Sequence, residues 1–161
     1  MSLINHRRRS ARWHGASQKV GQLADPLFLD RIDIQCEITP VPFKDISKAA
    51  PGEPSAAIRE RVIAARKIQQ ERFKEYKGIY CNAQMTERMI HQYAEPDTQS
   101  LDMLRMAMER MSLSARAYSR ILKVARTIAD LDGSSNVQLP HIAEAVGYRQ
   151  LDRADWAERG K

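Results

Sequence analysis

The chain is 161 residues long, 43% hydrophobic and carries a formal net charge of +6, enough for one ordinary domain with a core and some length left for tails. No apolar run approaches the length of a membrane span, and the N-terminus has basic residues without the apolar centre of a signal peptide, so a cytoplasmic location is expected. Cys36 and Cys81 lie far apart with no CxxC or Cys/His clustering, which argues against a zinc site or a disulfide framework and leaves two buried or half-buried thiols as the expectation.

The charge is uneven. Arg7, Arg8, Arg9, Arg12 and Lys19 stand in a leading segment without a single acid, and the chain from Gly21 onward is nearly neutral. Residues 1–24 show no helical or strand period and are expected to form a mobile basic arm. Such an arm could touch nucleic acid through its arginines and Trp13, or simply keep the end soluble. In residues 25–43, Ile34, Cys36 and Ile38 alternate with Asp33, Gln35 and Glu37, the period of a half-buried strand that the Pro40 and Pro42 pair would end. A lone strand cannot complete its own ladder, so its partners would belong to a small sheet or to a sheet outside this chain.

Residues 44–54 read as a linker, with Pro51, Gly52 and Pro54 close together. From there everything reads as helix. Ser55 is expected to cap a helix to about Phe73, with Ile58, Val62, Ala65 and Phe73 on one side and Arg59, Glu60, Arg66, Lys67 and Glu71 mostly opposite. Thr86 should cap a short helix to about Tyr93, stapled by Met85 against Ile90, before Pro96 breaks it. Asp97 then opens a helix in which Leu101, Leu104, Met108 and Met111 repeat at three and four, and its four methionines read as core filling. After a tight corner at Ser112 and Leu113, Ser114 caps the most regular stretch of the chain. Tyr118, Ile121, Leu122, Ala125 and Ile128 recur on one face of it, and Gly133 is suited to the left-handed turn that stops it. A polar turn to Gln138 and a last helix begun at Pro140, carrying Ile142, Ala143 and Val146, complete the domain, and residues 154–161 form a charged tail. The expected fold is mainly α: a bundle of four to five helices over residues 55–153, preceded by one orphan strand and a flexible basic arm.

The sequence has no GxxxxGK[ST], GxGxxG or HExxH, and its four histidines are scattered, so independent catalysis is not expected and no metal ligands are assigned. Two arginines stand where elements begin, the usual place for a phosphate-contacting cation: Arg31 at the start of the strand and Arg116 in the first turn of the Ser114 helix. Open amides and a guanidinium would meet an anion together there, although most helix-surface arginines are simply solvated.

The segments LDRIDIQCEITPVPF, GEPSAAIRERVIAARKIQQERF, CNAQM and LSARAYSRILKVARTIADLDGSSNVQLPHIAEAVGYRQLDR, together about residues 26–153, resemble the C-terminal part of the magnesium-chelatase-like AAA+ ATPases, the branch that includes competence-type DNA branch-migration proteins. The resemblance implies that the LDR arginine, Arg31, is an arginine finger reaching the nucleotide of a neighbouring subunit. It implies that the SAR arginine, Arg116, is the sensor-2 residue of a helical lid. It also implies ATP with Mg²⁺ as ligand of the complete ATPase, a ring of subunits, and an AAA+ core as partner. Walker A, Walker B and the core sheet, which such proteins carry before the LDR segment, are not in this sequence, and the family's SGPLL-like approach to LDR is replaced by LADPLFLDR. The orphan strand is then the last piece of that sheet, and the chain a fragment or a stand-alone lid that completes a site built mainly by other residues. Two rivals remain. A helix-turn-helix at the Leu113 corner would aim Arg116, Arg120, Lys123 and Arg126 at DNA phosphates with Arg7 to Arg9 in a minor groove. An inert interaction domain would bind neither nucleotide nor DNA. Between DNA and a tetrapyrrole as substrate of the whole machine, the lack of any porphyrin-like site leans toward DNA.

Overall fold

Local signals in the chain decide where each helix begins and ends. The structure, a computed structural model, describes residues 31–36, 38, 40–43 and 51–149. The elements are α1 (Ser55–Phe73), a single 3₁₀ turn (Asn82–Gln84), α2 (Glu87–Tyr93), α3 (Thr98–Met111), α4 (Ala115–Leu131) and α5 (Leu139–Gly147). The side chains of Thr86, Asp97 and Ser114 each accept a hydrogen bond from a backbone amide of the first turn they precede, as an N-cap should. Gly133, at φ +71°, follows the end of α4 in the left-handed region. Ser112 also sits there at φ 52°, so the α3–α4 corner turns on a serine where glycine is the easier residue.

The bundle is built around α4, which packs on α1, α2, α5 and the 3₁₀ turn, while α3 lies against α5. Ile121, Leu122, Ala125 and Ala129 supply the buried face of α4, with Tyr118 and Ile128 half-buried at its margin. Leu104 of α3, Met89 and Ile90 of α2, Phe73 of α1 and Ile142 of α5 close over it. Met85, just before the α2 cap, is buried in the same core as Ile90, as the expected staple requires. Phe73, Tyr76 and Tyr93 meet edge to face, with ring centroids 5.8 to 6.4 Å apart, and the Tyr76 and Tyr93 hydroxyls are 3.0 Å apart.

Several expectations are corrected. Ser55 is the first residue of α1, and Pro54 occupies the cap position with no side-chain bond. Only the second half of α1 is covered: Ala65, Gln69 and Phe73 are buried, whereas Ile58 and Val62 are exposed. On α3, Leu101 and Met106 face solvent and Met103, Met108 and Met111 are half-buried, so the methionines line the edge of the core more than they fill it. On α5 the buried small residue is Ala145, not Ala143. Cys36 is exposed and Cys81 half-buried. The expected strand does not form among its described residues, and the alternation is not one of burial: Ile34 is 51% and Ile38 90% exposed. Without a partner strand, no ladder holds an extended segment in register. The basic arm, residues 44–50 of the linker and the charged tail lie outside the described residues. Among the described residues no helix is long and apolar enough to cross a membrane.

Candidate functional site

Ser114 fixes the start of α4, its hydroxyl accepting from the Ala117 amide at 3.1 Å. The helix then repeats cations at four and three residues, so Arg116, Arg120 and Lys123 rise along one flank beside the buried stripe. They line an open depression of about 470 Å³ together with Ala115, Ser119 and Glu87 of α2. Ser119 Oγ donates to a Glu87 carboxylate oxygen at 2.9 Å, which fixes the one acid at the edge. Lys123 Nζ donates to the Ala83 carbonyl at 3.0 Å and so leans toward the 3₁₀ turn with donors to spare. Arg116 in the first turn, at the positive end of the helix dipole, and Lys123 and Arg120 beyond it, the last already paired with Asp33, leave a surface with a surplus of positive charge that favours a polyanion such as a nucleotide phosphate chain. No group of three or more His, Cys, Asp or Glu among the described residues is placed to hold a metal ion. The lining cations are suited to phosphate oxygens.

Arg116 lies exposed in the first turn of α4 and Arg31 lies exposed at the start of the described segment. The Arg31 segment is joined to α4 by Arg120, a residue expected from the sequence to face DNA phosphates in the helix-turn-helix reading. Arg120, one turn beyond Arg116, donates from Nη1 to the Arg31 carbonyl at 2.5 Å and pairs with the Asp33 carboxylate. Arg149, after α5, donates to the Ile32 carbonyl, and the Gln35 amide donates to the Tyr148 carbonyl at 2.9 Å. Nothing in the spacing of Asp33 and Arg120 could have paired them, since they are far apart in sequence.

Arg126 is not on this surface. It is 1% exposed, its Nε donating to Asp130 at 3.1 Å and its terminal nitrogens to the carbonyls of Ser134 and Ser135 at 2.6 and 2.8 Å. Asp130 also receives both terminal nitrogens of Arg72, at 2.7 and 2.5 Å, and Asn82 Nδ2 at 2.8 Å. Burial pulls the Arg126 pKa below its ordinary value and the Arg72 charge adds to that, while the Asp130 carboxylate works in the opposite direction. The expectation that Arg126 faces DNA phosphates is overturned: a guanidinium that closes the end of its own helix and neutralises a buried carboxylate has no face left for DNA.

Residues 52–149 match the family model described as magnesium chelatase, subunit ChlI C-terminal. Over 135 residues, 83% of this chain and 25% of the relative, the sequence is 38% identical to competence protein ComM of Haemophilus influenzae. It is 40% identical over 135 residues to the uncharacterized protein YifB of Escherichia coli, covering 83% of this chain and 26% of that protein. An uncharacterized protein of Mycobacterium bovis is 32% identical over 131 residues, 81% of this chain and 25% of its own length. The chain thus spans about a quarter of the length of the curated relatives it matches.

Proposed function

The chain belongs to the magnesium chelatase ChlI C-terminal family, and from that premise we propose that it is the helical lid of a magnesium-chelatase-like AAA+ ATPase, working on ATP in a site whose P-loop lies on a core outside this sequence. The observation that supports the reading is the depression on α4, lined by Arg116, Arg120 and Lys123 at and beyond the first turn of the helix. In this reading Arg116 contacts the phosphates of the nucleotide held by its own core, so that lid angle follows nucleotide state. Arg31 reaches the nucleotide of a neighbouring subunit. Phosphoryl transfer spreads charge over the equatorial oxygens in the transition state, and an arginine supplied in trans is worth roughly 10³ to 10⁵ in rate. A residue that serves only the neighbour needs a head-to-tail interface, and a head-to-tail interface that closes makes a ring. Mg²⁺ would be held by residues of the core.

The test is titration of a fluorescent ATP analogue into this chain, alone and with a separately expressed P-loop core, for wild type and Arg116→Ala. The expected result is silence from the chain alone, tighter nucleotide binding by the core when the chain is added, and loss of that gain in the variant. A chain that leaves the core unaffected and instead binds duplex DNA, with affinity falling steeply in salt after the arm is deleted, would replace this reading with the helix-turn-helix one.

A further inference from the structure

Residues 31–35 carry no regular structure of their own, yet four of these five residues are tied to the helical domain. Arg120 holds the Arg31 carbonyl and the Asp33 carboxylate, Arg149 holds the Ile32 carbonyl, and the Tyr148 carbonyl holds the Gln35 amide. Arg120 is the member of this set that also lines the depression beside Arg116. One guanidinium therefore borders the candidate phosphate site and grips the backbone of Arg31. We propose that Arg120 is a positioning residue: through Asp33 and the Arg31 carbonyl it makes the Arg31 segment move with α4, so that a nucleotide engaged by Arg116 sets where the same subunit presents Arg31 to its neighbour.

The proposal rests on the reading of Arg31 and Arg116 given above and adds the physical link between them. The link is built from groups suited to it. The Arg120 side chain is 25% and the Asp33 side chain 52% exposed, so solvent screens a good part of their pairing. Arg120 cannot follow both an incoming phosphate and Asp33 without shifting the segment that Asp33 belongs to. A contact of this kind can transmit no more than its own free energy, which for a largely exposed ion pair corresponds to at most roughly a fivefold change in an equilibrium or a rate.

Asp33→Asn tests the link without replacing any residue that lines the depression, since Asp33 is not among them. Two readouts are needed. Hydrogen exchange of this chain reports the tether: the amide of Gln35 is expected to exchange roughly two- to fivefold faster in Asp33→Asn. Turnover of a P-loop core stimulated by the chain reports the consequence: kcat is expected to fall roughly fivefold with KM for ATP nearly unchanged, and Asp33→Glu to restore it. A residue with a merely structural role would move neither kcat alone nor recover with the longer acid. Unchanged exchange in Asp33→Asn overturns the tether. Faster exchange with unchanged kcat overturns the coupling while leaving the finger reading intact, provided Arg31→Ala abolishes the stimulation. If Arg31→Ala leaves the stimulation whole, the finger reading itself falls, and the coupling with it.

Discussion

Asp130 sits at the centre of the strongest polar cluster in the bundle, and its removal gives the sharpest test of what holds α1 to α4. Its side chain is fully buried against the side chains of Arg126, 2% exposed, and Arg72, 12% exposed. Asp130→Asn keeps the shape and one acceptor oxygen but deletes the charge that two guanidinium groups share. Breaking a buried ion pair from one side costs about 3–5 kcal/mol, because the remaining charge stays desolvated without compensation. The lower end applies here, about 3 kcal/mol, since Arg126 keeps its bonds to the Ser134 and Ser135 carbonyls. For a folded unit of this size that is a fall in Tm of roughly 12–24 °C. Urea denaturation followed by circular dichroism measures it directly, with Arg72→Met as companion: Arg72 is the more exposed partner, so its loss should cost less than that of Asp130. A change below about 1 kcal/mol for Asp130→Asn would show that water reaches the cluster and that the burial argument is wrong.

Three further outcomes follow from single residues. Ser112→Gly relieves a left-handed serine at the α3–α4 corner and should raise stability by about 1 kcal/mol in the same urea assay. Ser114→Ala removes the cap of α4 and should lower it by about 1 kcal/mol. The Asp97 carboxyl is held below its ordinary value of 3.8, chiefly by the backbone amide of Ser100 and then by its side chain. A depressed carboxylate stabilises the fold fully above its unfolded pKa and loses that contribution as pH falls through the folded one. Asp97→Asn, which still caps, should therefore flatten the fall of Tm between about pH 5 and pH 2 relative to wild type, and an unchanged profile would remove Asp97 from the acid response.

Helix ends were legible because each signal acts within one turn. Thr86, Asp97 and Ser114 find their amides three residues on, and Gly133 needs only its own φ. The buried face of α4 was legible for the same reason, as a period. Arg126 and Asp130 were not. At a spacing of four they look like a solvated surface pair, and only the approach of Arg72 and Asn82 from other parts of the chain shows that they are interior. The segment around Ile34 misled in the opposite direction: alternation alone suggests a strand, but a strand also needs a neighbour, and the described residues supply none. Arg116 does stand in the first turn of a helix, as expected, whereas the strand that Arg31 was expected to begin does not form among its described residues. The tether that brings their surroundings together, Asp33 to Arg120 and Ile32 to Arg149, joins distant parts of the chain and has no local pattern.

The most direct test of the lid reading is a mixing experiment in a chain that joins this domain to a P-loop core. Arg31→Ala and Arg116→Ala are each prepared, assayed for ATP turnover alone, and then mixed in equal amounts. If Arg116 serves the nucleotide of its own subunit and Arg31 that of the neighbour, each variant alone is nearly inactive. Random mixing then rebuilds complete sites at about a quarter of the interfaces, and turnover recovers to that level. Turnover that stays at the level of the separate variants would contradict the assignment of the two arginines to two different subunits' sites.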